Sequence, residues 1–302
     1  MRLNAVKILE ISITNLSRKK ILEYIQKYLD KKAKNRQKIL KIFTPNTEQL
    51  VLAKKNPDFA NILNRGDLTL PDSSGIIWAS QLLTQKPLPE LIPGVEFMED
   101  LVSLAAKRAY SVALIGGRGG LAVKTLECLQ QEYPRLKGWA EDGPEVKVQS
   151  SKLKVKSGKQ KLITSAGDQE DYFKQLAQRI RESGARIVFV GLGAPKQELF
   201  IEQLVDSLQH IAYRKTEQGF SKRYPLSVNN PLVLMAVGGS FEIISGQIPR
   251  ASEWIRRLRV PLFMRAIGYE WLWRLVRQPW RIKRQMALVR FIWLVIAKKL
   301  RV

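Results

Sequence analysis

Asp72 is the residue whose type and setting most invite chemistry. It follows the strand-like run DLTL and Pro71 and precedes Ser73, Ser74 and Gly75. A carboxylate at the carboxyl edge of a strand, facing a cleft, can take a proton from an attacking hydroxyl. The same position can cap the helix expected over IIWASQLL, a role Asp fills well. Local sequence leaves both readings open. Thr44, Asn46 and Glu48 in TPNTEQ stand at a second expected strand end. Short polar side chains there suit hydrogen bonds to a ligand, and a helix start uses the same types. GLGAPKQE (191–198) is more specific. Gly191 and Gly193 let backbone approach a ligand, and Pro195 opens a helix whose first N–H groups favour phosphate. Lys196 adds charge, and Gln197 can hydrogen-bond a base or a sugar. GGRGG (116–120), led by Gly116 and Gly117, is a comparable turn, and Gly238 and Gly239 make a third, shortly before Glu242. Arg118 breaks the G-x-G-x-x-G spacing, and no acidic ribose partner is evident about 20 residues on, so a redox dinucleotide is not expected.

These residues need a scaffold that brings strand ends together, and the pattern of the chain supplies one. Over residues 1–249 strand-like and helix-like segments alternate, which predicts an α/β domain with a Rossmann-like, largely parallel sheet and helices on both faces. SRKKILEYIQKYLD carries Ile21, Leu22, Ile25 and Leu29 at helical spacing behind a Ser17 cap, and Asn56-Pro57 starts a helix that Gly66 ends. SVALIGG (111–117), ARIVFVGLG (185–193) and PLVLMAVGG (231–239) are β-branched runs ending in glycine. That puts three glycine turns at the carboxyl edge of one sheet, where open α/β sheets bind ligands. Two stretches break the pattern and read as insertions: about 138–167, whose KVQSSKLKVKSGKQK holds six lysines and no acid and reads as a flexible loop, and 213–230.

From Arg250 to Val302 the character changes. Fourteen Lys/Arg face only Glu253 and Glu270, which is half of the formal net charge of +24, and five of the seven tryptophans lie there. Arg and Lys interleaved with Trp, Phe and Leu is the composition of helices lying on an anionic bilayer. This basic, aromatic-rich helical appendage, 250–302, is punctuated by Pro261 and Pro279. Its longest apolar run, MALVRFIWLVIA (286–297), contains Arg290 and falls short of the ~20 residues a spanning helix needs. The N-terminus shows neither an uninterrupted apolar stretch nor an A-x-A site, so no signal peptide is expected. One histidine, His210, and one cysteine, Cys128, cannot build a zinc site or a disulfide, and no D-x-D pair offers a metal seat. No metal or cofactor is expected. Any catalysis falls to carboxylates, amides and arginines.

TPNTEQLVLA, LNRGDLTLPDSSGIIWAS, PGVEF, VALIGGRGG, ARIVFVGLGAPKQE, VGGSFEIISGQIPRA and YEWLWRLVRQPWR, in this order, resemble the WecG/TagA/CpsF family of bacterial glycosyltransferases. They span about residues 8–285 outside the two insertions. The resemblance implies inverting transfer of an N-acetylmannosamine-type sugar from a UDP-sugar donor to a lipid-linked saccharide acceptor. It also implies a cytoplasmic location, peripherally attached to the inner face of the plasma membrane through the tail. Asp72 resembles the family's general base. Thr44, Asn46 and Gln197 resemble its polar site residues, and the glycine turns its nucleotide cradle. Arg250, Arg274, Arg277 and Arg281 become candidates to contact the diphosphate or lipid phosphate. Three departures stand out: Glu242 where the family pattern has Asp, Leu91 where many members have Arg, and a longer RRLRVPLFMRAIGYEW. They bear on the donor more than on the reaction.

Two other classes compete. A nucleic-acid-binding protein fits the charge, but the tail holds many large apolar groups and no nucleic-acid motif appears, so no nucleic acid is expected. A non-catalytic membrane scaffold of the same fold is set against by Asp72 and Gln197. A homo-oligomer stays open.

Overall fold

The computed structural model describes residues 4–31, 39–149, 152–157, 161–162, 166–217, 230–247 and 282–300. A six-stranded sheet, every pairing parallel, forms its centre: β3 (Ile39–Phe43), β4 (Leu68–Thr69), β5 (Ser111–Gly116), β6 (Lys137–Glu141), β10 (Ala185–Gly191) and β11 (Leu232–Ala236), in the order β4-β3-β11-β10-β5-β6. β5, β10 and β11 are apolar almost throughout because both faces of the sheet are covered, and their inner residues are fully buried. One face carries α2 (Thr47–Lys55), α3 (Pro57–Asn64), α4 (Ser74–Leu83), α7 (Ala166–Glu182) and α8 (Lys196–Glu217). The other carries α1 (Arg18–Asp30), α5 (Gly94–Arg108), α6 (Leu121–Glu132) and the short α9 (Ser240–Ile244). The expected fold class holds.

Local signals explain most boundaries. Ser17 caps α1 through its hydroxyl on the Lys20 N–H, and Ile21, Ile25 and Leu29 are buried beneath it. Asn56 caps α3, with Pro57 at its first position. Gly66 follows the C-cap Arg65 for lack of room, not for a left-handed turn: a Cβ there would lie 2.8 Å from the Phe43 ring. A hairpin of β1 (Ala5–Ile8) and β2 (Ile11–Thr14) adds Ile8, Ile11 and Ile13 to the core.

The first insertion is corrected in two respects. Residues 137–141 form β6, an integral strand paired along its length with β5. Beyond it, β7 (Glu145–Gln149), β8 (Lys152–Ser157) and β9 (Lys161–Leu162) make a separate antiparallel sheet where a flexible loop was expected. Alternation of Lys with Val and Leu, in KLKVK, is a strand pattern that the lysine content masked. The second insertion also starts later than expected, since α8 runs to Glu217; residues 218–229 lie outside the described residues.

The last described helix, α10 (Ile282–Lys299), packs on α2 and α4. Phe291 and Val295 are fully buried in the core that also holds Ile76 and Ala79 of α4. Lys298 approaches Glu10 in the β1–β2 turn at 3.9 Å and is the main reason the Glu10 carboxyl titrates below its ordinary value. The opposite side of α10 is bare: Met286, Val289, Ile292, Trp293, Ile296 and Leu300 are all exposed, Trp293 by 65%. No helix among the described residues is long and apolar enough to cross a membrane. Arg250, Arg274, Arg277 and Arg281, with Pro261 and Pro279, lie outside the described residues.

Candidate active site at the carboxyl edge of the sheet

Parallel pairing places every strand's carboxyl end on one edge, so the turns after β4, β3, β11, β10, β5 and β6 stand side by side in that order. The chain leaves β5 toward β6 and leaves β10 toward β11, in opposite directions, and α6 and α8 cover opposite faces. The switch point therefore falls between β5 and β10, where a crevice opens in folds of this class. The two glycine turns meet there. Gly117 N–H donates to Gly191 O at 3.0 Å, and Gly116 sits at φ +142 with its would-be Cβ 2.4 Å from that same oxygen. A Cβ on Gly191 would strike the Phe241 ring at 2.8 Å, so this stretch is built from glycine by necessity of space.

Asp72 lies at the other end of the row. Its backbone N–H donates to Pro45 O (3.2 Å), continuing the β3–β4 ladder, and its Oδ1 accepts the Gly94 N–H at 2.9 Å. It is not the cap of α4; that position belongs to Ser73, whose hydroxyl makes no capping bond. Instead Asp72 holds the first N–H of α5, which follows Pro93 and has no side-chain cap of its own. Burial pushes its carboxyl up to about 7, with the Gly94 hydrogen bond pulling the other way and Glu96 adding to the rise. Thr44 stands against the same glycine, its Oγ1 3.1 Å from where a Gly94 Cβ would be, and donates to Ala236 O at 3.1 Å.

Asn46 takes the structural role that local sequence allowed. It is the N-cap of α2 in a reciprocal capping box with Gln49: its Oδ1 accepts from Gln49 N at 3.0 Å, and Gln49 Oε1 accepts from Asn46 N at 3.1 Å. Gln197, 2% exposed, also engages protein: its Oε1 accepts the Gly238 N–H at 2.9 Å and its Nε2 donates to Glu198 Oε1 at 2.9 Å. Gln197 thereby ties the turn after β10 to the turn after β11. Gly193 and Gly238 have positive φ and open space where a Cβ would point. Hydrogen bonds thus link Asp72 to the turn carrying Thr44 and Asn46, Thr44 to the end of β11, and Gln197 to Gly238, with Gly191 at the end of β10 and Gly116 and Gly117 at the end of β5.

Two acidic residues escaped the sequence reading. Glu198 is 1% exposed and burial pushes its carboxyl up to about 7. Glu198, Ile201, Val205 and Leu208 share one stripe of α8, so helical phase marks this glutamate as inward-facing. Asp142, just past β6, accepts the Gly120 N–H at 2.8 Å on Oδ2. It is an acidic residue beside the GGRGG turn, inside the stretch that reads as an insertion from sequence.

Buried polar atoms almost always find partners. Among the described residues the exceptions are Ser73 Oγ, Glu198 Oε2, Glu242 Oε2 and two nitrogens of Arg181. Three of these four residues stand on the carboxyl edge. Glu242, despite its extra methylene, brings its Oε2 within 3.5 Å of a Gly239 Cβ position. These unmatched atoms thus gather where the turns of the carboxyl edge stand side by side.

The description "Glycosyl transferase WecG/TagA/CpsF family" matches residues 6–214 and 258–302. The N-acetylglucosaminyldiphosphoundecaprenol N-acetyl-beta-D-mannosaminyltransferase of Bacillus subtilis (strain 168) is 25% identical over 293 residues, covering 96% of this chain and 90% of its own length.

Proposed function

The chain belongs to the WecG/TagA/CpsF family of glycosyltransferases, and on that premise we propose that it moves an N-acetylmannosamine-type sugar from a UDP donor to a polyprenyl-diphosphate-linked sugar, inverting the anomeric configuration. The observation that carries the reading is Asp72. Its carboxyl is half-buried, anchored by the Gly94 N–H and raised to about 7, which suits a general base at neutral pH. Asp72 takes the proton of the acceptor hydroxyl as that oxygen attacks the anomeric carbon. The bond from that carbon to the diphosphate oxygen breaks on the opposite face, and UDP departs with the electron pair.

The rest of the edge has a part in this scheme. The open backbone at Gly193 and Gly238 and the unmatched Glu242 Oε2 seat the donor. The amino end of α8, with Lys196, and arginines among Arg250, Arg274, Arg277 and Arg281 stabilise the leaving diphosphate. The relative's printed name supports the acceptor and the donor sugar. The bare apolar side of α10, flanked by exposed Arg290 and Lys299, supports peripheral attachment to an anionic bilayer at the inner face of the plasma membrane.

The test is incubation with a panel of UDP-sugars and a polyprenyl-diphosphate-N-acetylglucosamine analogue, following UDP release, product mass and anomeric configuration. UDP release with one N-acetylhexosamine donor and a product of opposite anomeric configuration is expected. Release that needs no acceptor, or a product of retained configuration, would refute the mechanism.

A further inference from the structure

Glu198 heads a hydrogen-bond chain that reaches three turns of the carboxyl edge. Its Oε1 receives Gln197 Nε2–H at 2.9 Å and Gln49 Nε2–H at 3.4 Å, while its Oε2 has no partner among the described residues. An ionised carboxylate only accepts hydrogen bonds, and a carboxylic acid protonated on Oε2 still only accepts at Oε1. Two carboxamides that both present NH2 to this oxygen must turn their own oxygens the other way. Those oxygens receive the Gly238 N–H (2.9 Å) and the Asn46 N–H (3.1 Å). A single buried oxygen on α8 thus sets the sense of two carboxamides and, through them, two backbone N–H groups on different strand ends. A glutamate that merely complemented the amino end of α8 would sit in solvent and need neither carboxamide.

We propose that Glu198 is a positioning residue for glycosyl transfer: by accepting from Gln49 and Gln197 together it locks the turns after β3, β10 and β11 against one another and so preforms the donor seat beside Thr44 and Gly238. The inference deepens the reading of the site given above and rests on it. Removing the acceptor leaves two buried NH2 groups unmatched and lets both carboxamides flip, which releases Asn46 and Gly238 at once.

The experiment pairs Glu198→Met, similar in volume but with no acceptor oxygen, with Glu198→Gln, whose carbonyl oxygen can occupy the place of Oε1. Residue-resolved backbone amide exchange at Asn46 and Gly238 and the rate of UDP release are measured for each. Glu198→Met is expected to accelerate exchange of both amides and to lower kcat, each by at least about tenfold. Glu198→Gln is expected to recover both to within about threefold of the parent. Unchanged exchange in Glu198→Met overturns the proposal, and so does a loss of kcat with both amides still protected. If Glu198→Met does not fold, Glu198→Gln decides alone: both amides unprotected in a folded protein overturn it, and protection with near-parental kcat sustains it. A parent enzyme silent toward every donor would sink the transfer reading but leave the exchange result standing, so the two failures are told apart.

Discussion

Over β4 and β3 the carboxyl edge of the sheet presents side chains held in place by backbone: Asp72 on the Gly94 N–H, Asn46 in its capping box, Thr44 on Ala236 O. Over β10 and β5 it presents backbone from which side chains are excluded, with Gly116, Gly117 and Gly191 packed against one another and against Leu121 and Phe241. The same six parallel strands support both, yet the first half offers a titrating group and the second offers shape. On the proposed reading, reaction chemistry belongs to the side-chain half, and the glycine half admits close approach of a bulky donor. Substitutions should separate the two: one kind should slow turnover with the fold intact, the other should weaken the fold or the fit.

The largest separation is expected at Asp72. Asp72→Asn should lower kcat by roughly 10²–10⁴-fold with donor binding and melting temperature little changed. In the parent, a base raised to about 7 must lose its proton to act, so kcat/KM should rise with pH through about 7; the variant should lose that limb. Steady-state UDP release across pH 5.5–8.5 checks both (a range set around the expected inflection near 7). On the glycine half, Gly116→Ala places a Cβ 2.4 Å from Gly191 O at a strongly positive φ, and should cost about 3 kcal/mol of stability in denaturant titration. An unaltered midpoint would mean that the two turns are less tightly joined than the contact implies.

A third comparison sets buried carboxyl against solvent. The Glu198 carboxyl titrates near 7 when folded against an ordinary 4.5, so the folded state holds its proton the more tightly. Stability is then greatest below the unfolded value and falls as pH rises from about 4.5 to about 7, by up to about 3 kcal/mol. Glu198→Gln should flatten that slope, read from denaturant midpoints at about pH 5 and about pH 8. The smallest effects belong to the outer side of α10. Trp293→Ser or Val289→Ser should each weaken binding to anionic vesicles by about fivefold, on the order of 1 kcal/mol, and leave the melting temperature alone, because both side chains are exposed.

What the sequence disclosed and what it withheld divide along physical lines. The β-branched runs ending in glycine announced β5, β10 and β11, because strands covered on both faces must be apolar throughout. Asp72 was placed correctly at a strand end, but its partner was not: the bond to Gly94 joins residues 22 apart through a loop, which no local pattern records. Gln197 and Asn46 were singled out for polarity, and the structure has them engaged with backbone, since a buried amide must be satisfied before it can serve anything else. Glu198 went unread because glutamate in the first turn of a helix ordinarily complements the helix dipole in solvent. β7–β9 were hidden by lysines, whose charge suggested a loop although their alternation with Val and Leu is that of strands, and β6 by its place at the start of the same stretch.

The seat of α10 at Gly75 has one more consequence. A Cβ position there lies 3.7 Å from Phe291 and 3.8 Å from Leu288, only three residues after Asp72, while the far side of the helix is bare. On the reading proposed above, the base stands three residues from the seat of a helix whose far side would rest on the bilayer. An acceptor tethered in that surface meets the enzyme in a plane, not in a volume. Its effective concentration is its mole fraction among the lipids: acceptor-free vesicles fused into the same membrane would slow the reaction, whereas dilution of the whole suspension would leave each bound enzyme working at the same pace.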